Sequence, residues 1–313
     1  MKNVHKLTEG ALFLAIFAVL LLMTIYIPIL GVVVNLFLAI PFIMFAAKND
    51  RKSSFVFLIG ALLISLIVGT VLAIPLAVSY GLTGIVIGDF IREKKNRLSG
   101  YIAGALVFLL TLVAQYGISV AFFGMDIIGE STQMLEESID QAFSMMGALG
   151  QAPDPVLVQQ FETSIRMIQV LIPSMFVMVS FMIVLIVELV SFPIVQRFGI
   201  DAPKWKPFRE LNLPRSLLWY YLLVLLATLM FNPEEGTYWY AAVINLSFIL
   251  QFFMILQGLS LIYFFSYLKK WPKYLPIMIT VFTFIFPFLL YIVRILGIID
   301  LGFDIRKRIE IKK

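Results

Sequence analysis

The residues that could do chemistry here are few, and most lie inside apolar runs. Glu188 sits within such a run, more than two turns before Arg197, and Arg294 lies near the end of another. Asn245, Gln251 and Gln257 recur at intervals of six, about 600° around a helix, so they do not share one narrow face. Polar groups in hydrocarbon are costly, so each must find a partner or serve a ligand. Glu188 has a structural reading, as a carboxylate bonded to a neighbouring hydroxyl or Arg, and a functional one. Arg294 reads either as a snorkelling cation or as a functional charge. Asn35, Gln115 and Tyr116 fall toward one side of the membrane and, with the more deeply placed Tyr80, suit a small apolar pocket with a few polar groups. The candidate ligand set is therefore Asn35, Gln115, Tyr116, Glu188 and Asn245.

Other chemistries are excluded by composition. The chain has no Cys, and its one His is His5. Disulfides, thiolate nucleophiles and His- or Cys-based metal centres are thereby removed. No phosphate loop, Ser–His pairing or paired-carboxylate site is present. Neither an enzyme nor a metal or other cofactor is expected.

These polar residues must be held by membrane helices. The 313-residue chain is 61% hydrophobic, against about half for a soluble domain. Apolar runs cover 8–27, 31–47, 54–68, 72–90, 100–123, 167–195, 217–231, 238–267 and 275–296. The expected fold is all-α, a polytopic bundle of about nine apolar segments, because lipid leaves backbone groups to be satisfied within each segment. Lys2 and Lys6 precede the first run without a small-residue cleavage site, so that run is expected to remain as a span.

Charge orients the segments. Lys and Arg gather at 2–6, 48–52, 92–97, 197–215 and 269–273. The stretch 124–166 carries seven acids against one base, Arg166, and the 232–236 turn has two Glu and no base. The positive-inside bias puts the N-terminus in the cytoplasm and the acidic stretch outside, in a multi-pass protein of the cell membrane. The net charge of +5 belongs to this pattern and not to nucleic-acid binding. Segment 275–296 has two readings. A crossing leaves the basic tail outside, whereas re-entry at Pro287 returns it inside.

The external stretch predicts two helices. One over 131–147 places Met134, Leu135, Ile139, Ala142, Phe143 and Met146 on one stripe. The other starts at Asp154-Pro155, with Asp as N-cap and Pro at the first helical position, and runs into the span toward Arg197, with a kink expected at Pro173. Trp205 and Phe208, in the basic elbow that follows, suit the headgroup layer. Small-residue pairs at Ala11 and Ala15, Gly84 and Gly88, and Gly100 and Gly104 let helices approach closely, within the bundle or against a partner.

Length, the acidic excursion after five spans, and the sequences Gln257-Gly-Leu-Ser260 and Asp300-Leu-Gly-Phe-Asp304-Ile-Arg306 resemble the YybS-like membrane proteins of bacteria. Residues 1–197 also resemble the S-components of energy-coupling factor transporters in their six spans and in the Ala11 and Ala15 stripe. That resemblance implies a small-molecule binding or uptake protein. It assigns Ala11 and Ala15 to contact with a transmembrane coupling subunit that works with ATPases, and 124–166 to a gate. It also implies two domains, a six-span bundle over 1–197 and a three-segment membrane extension over 198–313. A typical S-component ends after six helices, so the extension departs from that pattern. The other reading is a membrane scaffold that holds a cytoplasmic or envelope partner, with the lipid bilayer as the common partner of both.

Overall fold

A computed structural model describes residues 2–151, 153–231 and 233–310. Asn232 of the expected turn and Lys312 and Lys313 of the tail lie outside them. The fold is helical, in the order α1 (Lys2–Tyr26), α2 (Pro28–Val34), α3 (Ile40–Lys48), α4 (Arg51–Gly69), α5 (Ile74–Arg92), α6 (Arg97–Phe123), α7 (Ile127–Ala148), α8 (Pro155–Arg197), α9 (Ser216–Phe231), α10 (Tyr238–Leu268), α11 (Tyr274–Ile285), α12 (Pro287–Phe303) and α13 (Ile305–Glu310). Among the described residues seven helical stretches are long and apolar enough to cross a membrane, with α2 and α3 counted as one. Counting the bent pair α11–α12 as one span would raise the number to eight. Helix α9 has 16 residues, about 24 Å of axis against a hydrocarbon core of about 30 Å.

Two compact units result. One contains Met1–Met134 and Phe176–Trp205, the other Leu135–Met175 and Lys206–Lys313. The division differs from a single cut after residue 197, and hydrogen bonds explain both differences. The elbow up to Trp205 stays with the first unit because Arg97 donates to the Pro203 carbonyl and Gln196 to that of Ala202. The early part of α8 joins the second unit because Asn245 of α10 bonds to it.

In the first unit, α1 buries Phe13, Phe17 and Leu21 against Phe42 and Phe57. Phe42 meets both Phe17 and Phe57 edge-on, at 5.1 and 5.3 Å between ring centres. Gly84 and Gly88 let α5 lie directly on α3, since a Cβ would come within 2.8 Å of the Ala39 carbonyl oxygen at one and 2.5 Å of the Ile43 carbonyl oxygen at the other. The run expected as one span over 31–47 lies within one candidate span, Pro28–Lys48, with a local change of helix type inside it. Asn35–Phe37 forms a 3-10 turn between α2 and α3, which places Asn35 at that change. The basic ends are not bare. Lys48 pairs with Glu9 at 2.6 Å, and Arg51 bridges Asp89 and Glu93, each at 2.6 Å.

The second unit decides between the two readings of 275–296. The run breaks at Phe286, and α11 and α12 meet at 119°. Gln251 bonds Arg294, and Gln257 bonds Asp300. Residue numbers thus rise together along the contact, so α10 and α12 run parallel and α11 must carry the chain back between them. The return brings the tail to the elbow. Arg306 donates to the carbonyls of Arg209 and Leu211 at 2.8 and 2.9 Å, and Arg215 pairs with Asp304. Segment 275–296 is therefore a re-entrant hairpin and not a ninth crossing.

This arrangement predicts a labelling pattern, in a background naturally free of Cys. Single Cys residues at Lys206 and Arg308 should react with an impermeant maleimide from the same face, and one at Glu234 from the opposite face. Labelling of the Arg308 and Glu234 positions together would contradict the hairpin.

Candidate functional site

The most deeply buried charge belongs to the first unit. Glu188 on α8 is fully buried and accepts from Arg97 Nε at 2.9 Å. Arg97, at the first position of α6, lies between Phe192 and Trp205, 3.9 and 4.9 Å from their ring centres. Its Nη1 donates to the Pro203 carbonyl at 3.2 Å. Asn96 caps α6 by accepting from the Leu98 amide, which sets Arg97 at the mouth of the helix. The Glu188 Oε1, the Ser191 hydroxyl and the Trp205 indole N–H are buried without a protein partner. This pair can anchor the elbow to α6 and α8, because two charges removed from water hold only in a fixed, close geometry.

Of the other candidate residues, Asn35 meets Tyr80 through a side-chain hydrogen bond, and the rest have separate surroundings. Gln115 Nε2 donates to the Pro75 carbonyl and the Ser79 hydroxyl, both at 3.1 Å, and Thr111 donates to Ser79 at 3.3 Å. Tyr116 donates its hydroxyl to Asp126 at 2.8 Å. The Asn35 Oδ1 is buried without a partner. Tyr80 is buried edge-on against Phe108. No hydrogen bond joins any two of Asn35, Gln115, Tyr116, Glu188 and Asn245 among the described residues. Asp126 also accepts from the Gly129 amide at 2.9 Å and so caps α7. That backbone bond, followed by the Tyr116 hydroxyl, holds its carboxyl below the usual aspartate range.

Asn245 repairs a helix. Pro173 has no N–H, so α8 loses one bond there. One residue on, Asn245 Oδ1 accepts from the Ser174 amide at 2.9 Å, and its Nδ2 donates to the Val170 carbonyl at 2.6 Å. Val170 and Ser174 are the acceptor and donor of an ordinary i to i−4 bond. The amide therefore braces the turn next to Pro173, and Pro173 lies within the continuous helix α8.

A second polar centre lies on α10 and α12. Gly258 and Gly297 bring the helices together so closely that a Cβ on either would fall 2.0 or 1.9 Å from a backbone oxygen of the other helix. Asp300 accepts from Gln257 Nε2 at 2.6 Å and from Arg306 Nε at 2.8 Å. Gln257 Oε1 accepts from the Leu213 amide, and the Ser260 hydroxyl donates to the carbonyls of Phe208 and Leu211. The sequences Gln257-Gly-Leu-Ser260 and Asp300-Leu-Gly-Phe-Asp304-Ile-Arg306 thus form one network. Its buried atoms are all satisfied, as a stabilising polar cluster requires.

The family described as "Predicted membrane protein (DUF2232)" matches residues 15–301. The chain belongs to that family. Membership makes it an integral membrane protein of the DUF2232 family, and it is YybS-like throughout. The uncharacterized protein YybS of Bacillus subtilis (strain 168) is 31% identical over 312 residues, which cover 99% of this chain and 100% of that one. No solved structure matches.

Sequence reasoning missed Arg97, which looked like an ordinary loop residue, and assigned Trp205 to the headgroup layer, whereas its ring packs against the Arg97 guanidinium. The signal was indirect, since a carboxylate deep in a span demands a cation. Leucine at 188 leaves Arg97 buried and unpaired, and should cost about 3–5 kcal/mol. Glu188→Gln keeps an acceptor and should lose less, and Arg97→Met with Glu188→Leu should recover part of the loss. Melting of the detergent-solubilised variants measures this, and equal melting of Glu188→Leu and wild type would contradict it. For Asp126 the sign follows from a depressed carboxyl. Its capping contribution is complete above the ordinary aspartate range, about pH 4, and is lost as pH falls through its lower native value. Amide-exchange protection at the start of α7, relative to Asp126→Asn at each pH, should fall in that acid window and hold steady above it.

Proposed function

We propose that the protein is a non-enzymatic, substrate-capturing membrane subunit of an uptake system, with its first unit acting in the manner of an energy-coupling factor S-component. The observation that carries this reading is the face of α1 bearing Ala11 and Ala15. Both are exposed, while Phe13 and Phe17 on the opposite side are buried. The stripe is not consumed by packing within the chain, so a partner helix can approach it closely. The partner suited to it is a transmembrane coupling subunit driven by ATPases. Six spans, α1 to α6 and the end of α8, make up the unit that carries the stripe. The positive-inside bias places this unit's basic ends and the N-terminus in the cytoplasm of a bacterial cell and α7 outside.

A second reading is a scaffold without transport. It is favoured by the network around Asp300 and Arg306 in the C-terminal unit, which lies outside the six-span pattern. Native mass spectrometry of gently solubilised protein separates the two. A small molecule and an ATPase-linked membrane protein retained together support uptake, and a protein partner alone supports the scaffold. Ala11→Leu and Ala15→Leu supply a further test. Each should shift the stability of the isolated chain by no more than about 0.5 kcal/mol, as exposed substitutions do. Recovery of the membrane partner should fall about tenfold, equal to ~1.4 kcal/mol of binding. A large loss of stability with unchanged recovery per folded molecule would overturn the partner assignment.

A further inference from the structure

Arg294 differs from Arg97 and Arg92. Arg97 has Glu188, and Arg92 pairs with Asp89. Arg294 has no Asp or Glu within ion-pair distance among the described residues. Its Nη1 donates to the neutral Gln251 Oε1 at 2.7 Å, and its guanidinium lies 4.8 Å from the Tyr291 ring centre. The helices packed around it supply no counter-charge. Helices α9, α10 and α11 contain no carboxylate, and the single one on α12 is Asp300, already engaged by Gln257 and Arg306.

Depth makes this arrangement informative. Six residues separate Arg294 from Asp300, about 9 Å of helix axis. Asp300 is at the level of the elbow, through Gln257 and Leu213. Arg294 therefore lies less than two helical turns from the level of the elbow and its headgroup layer, held by Gln251 rather than extended to the elbow. A guanidinium stays charged at any relevant pH. An unpaired cation in hydrocarbon costs several kcal/mol, and Gln251 with Tyr291 offers only dipole and quadrupole compensation. One N–H is used, and the rest of the planar fork suits two oxygens of one oxyanion.

The neighbouring surface says from where the anion comes. Tyr291, Ile292 and Ile295 on the same helix are exposed, at 57, 40 and 52%. They form an apolar surface beside the charge, suited to acyl chains and not to a hydrated ion. We infer that Arg294 and Gln251 form a binding site for the phosphate of an anionic phospholipid, with its chains lying along Tyr291, Ile292 and Ile295. This site belongs to the C-terminal unit and is independent of the uptake reading, which concerns the first unit.

The test uses the full chain, delipidated and titrated with phosphatidylglycerol, phosphatidylethanolamine or inorganic phosphate, with adducts counted by native mass spectrometry. The wild type should bind phosphatidylglycerol at least tenfold better than phosphatidylethanolamine. Arg294→Gln should lose that preference, and Arg294→Lys should keep part of it because the charge remains. Equal preference in the wild type and in a normally melting Arg294→Gln variant would overturn the site. Displacement of phosphatidylglycerol by millimolar inorganic phosphate would overturn the assignment to lipid. If Arg294→Gln fails to fold, a benzophenone amino acid in place of Ile295 tests the same claim in native membranes. Crosslinks enriched in phosphatidylglycerol over its bulk share support the site, and crosslinks in proportion to bulk lipid overturn it.

Discussion

Hydrocarbon offers no hydrogen-bond partner, so each charge carried into it must bring its own compensation or be compensated by something that arrives later. The pair between Arg97 and Glu188 is the first case. A carboxylate on α8 and a guanidinium at the start of α6 meet at 2.9 Å, with two aromatic rings against the guanidinium. The Pro203 carbonyl joins them. The first unit thus gains one fixed relation between α6, the end of α8 and the elbow, which apolar packing alone specifies weakly. Lipid tails are as apolar as leucine, and greasy faces have little reason to prefer one register over another.

The second unit applies the same constraint to backbone and side chains together. Pro173 opens one turn of α8, and the amide of Asn245 bonds to both Val170 and Ser174 beside it. Phe286 and Pro287 break the last apolar run, and the freed direction is used to lay α12 parallel to α10. Glycines at 258 and 297 allow that approach. Gln257, Asp300 and Arg306 then tie the returning chain to the elbow. A hairpin of this kind is tolerated where its irregular backbone is packed against protein rather than exposed to lipid.

Two other features stand apart from these networks. The Ala11 and Ala15 face of α1 is exposed, and Arg294 has no carboxylate within ion-pair distance among the described residues. The two features lie in different units. Helix α7 has no buried residue along its length and meets α8 edge-on through Phe143 and Phe161.

The sequence by itself determined the solvent, the fold class and most of the helices. Those follow from run length, from charge between runs and from short-range caps such as Asp154, which accepts from the Val156 amide at 2.9 Å. All of these act over a few residues and can be read locally. Partners were not legible in the same way. Glu188 demanded a cation, but Arg97 lies 91 positions away and looked like one more basic loop residue. The endings that marked family membership, Gln257 to Ser260 and Asp300 to Arg306, gave no sign of meeting each other. Nor did the amides of the 238–267 run indicate that one braces a proline-opened turn and another holds an arginine. The fate of 275–296 stayed open because Pro287 permits either a kinked crossing or a return, and the choice rests on whether α12 finds a parallel partner. Tertiary structure decided that point through the close contact at Gly258 and Gly297, since only a specific neighbour can satisfy a broken helix inside a membrane.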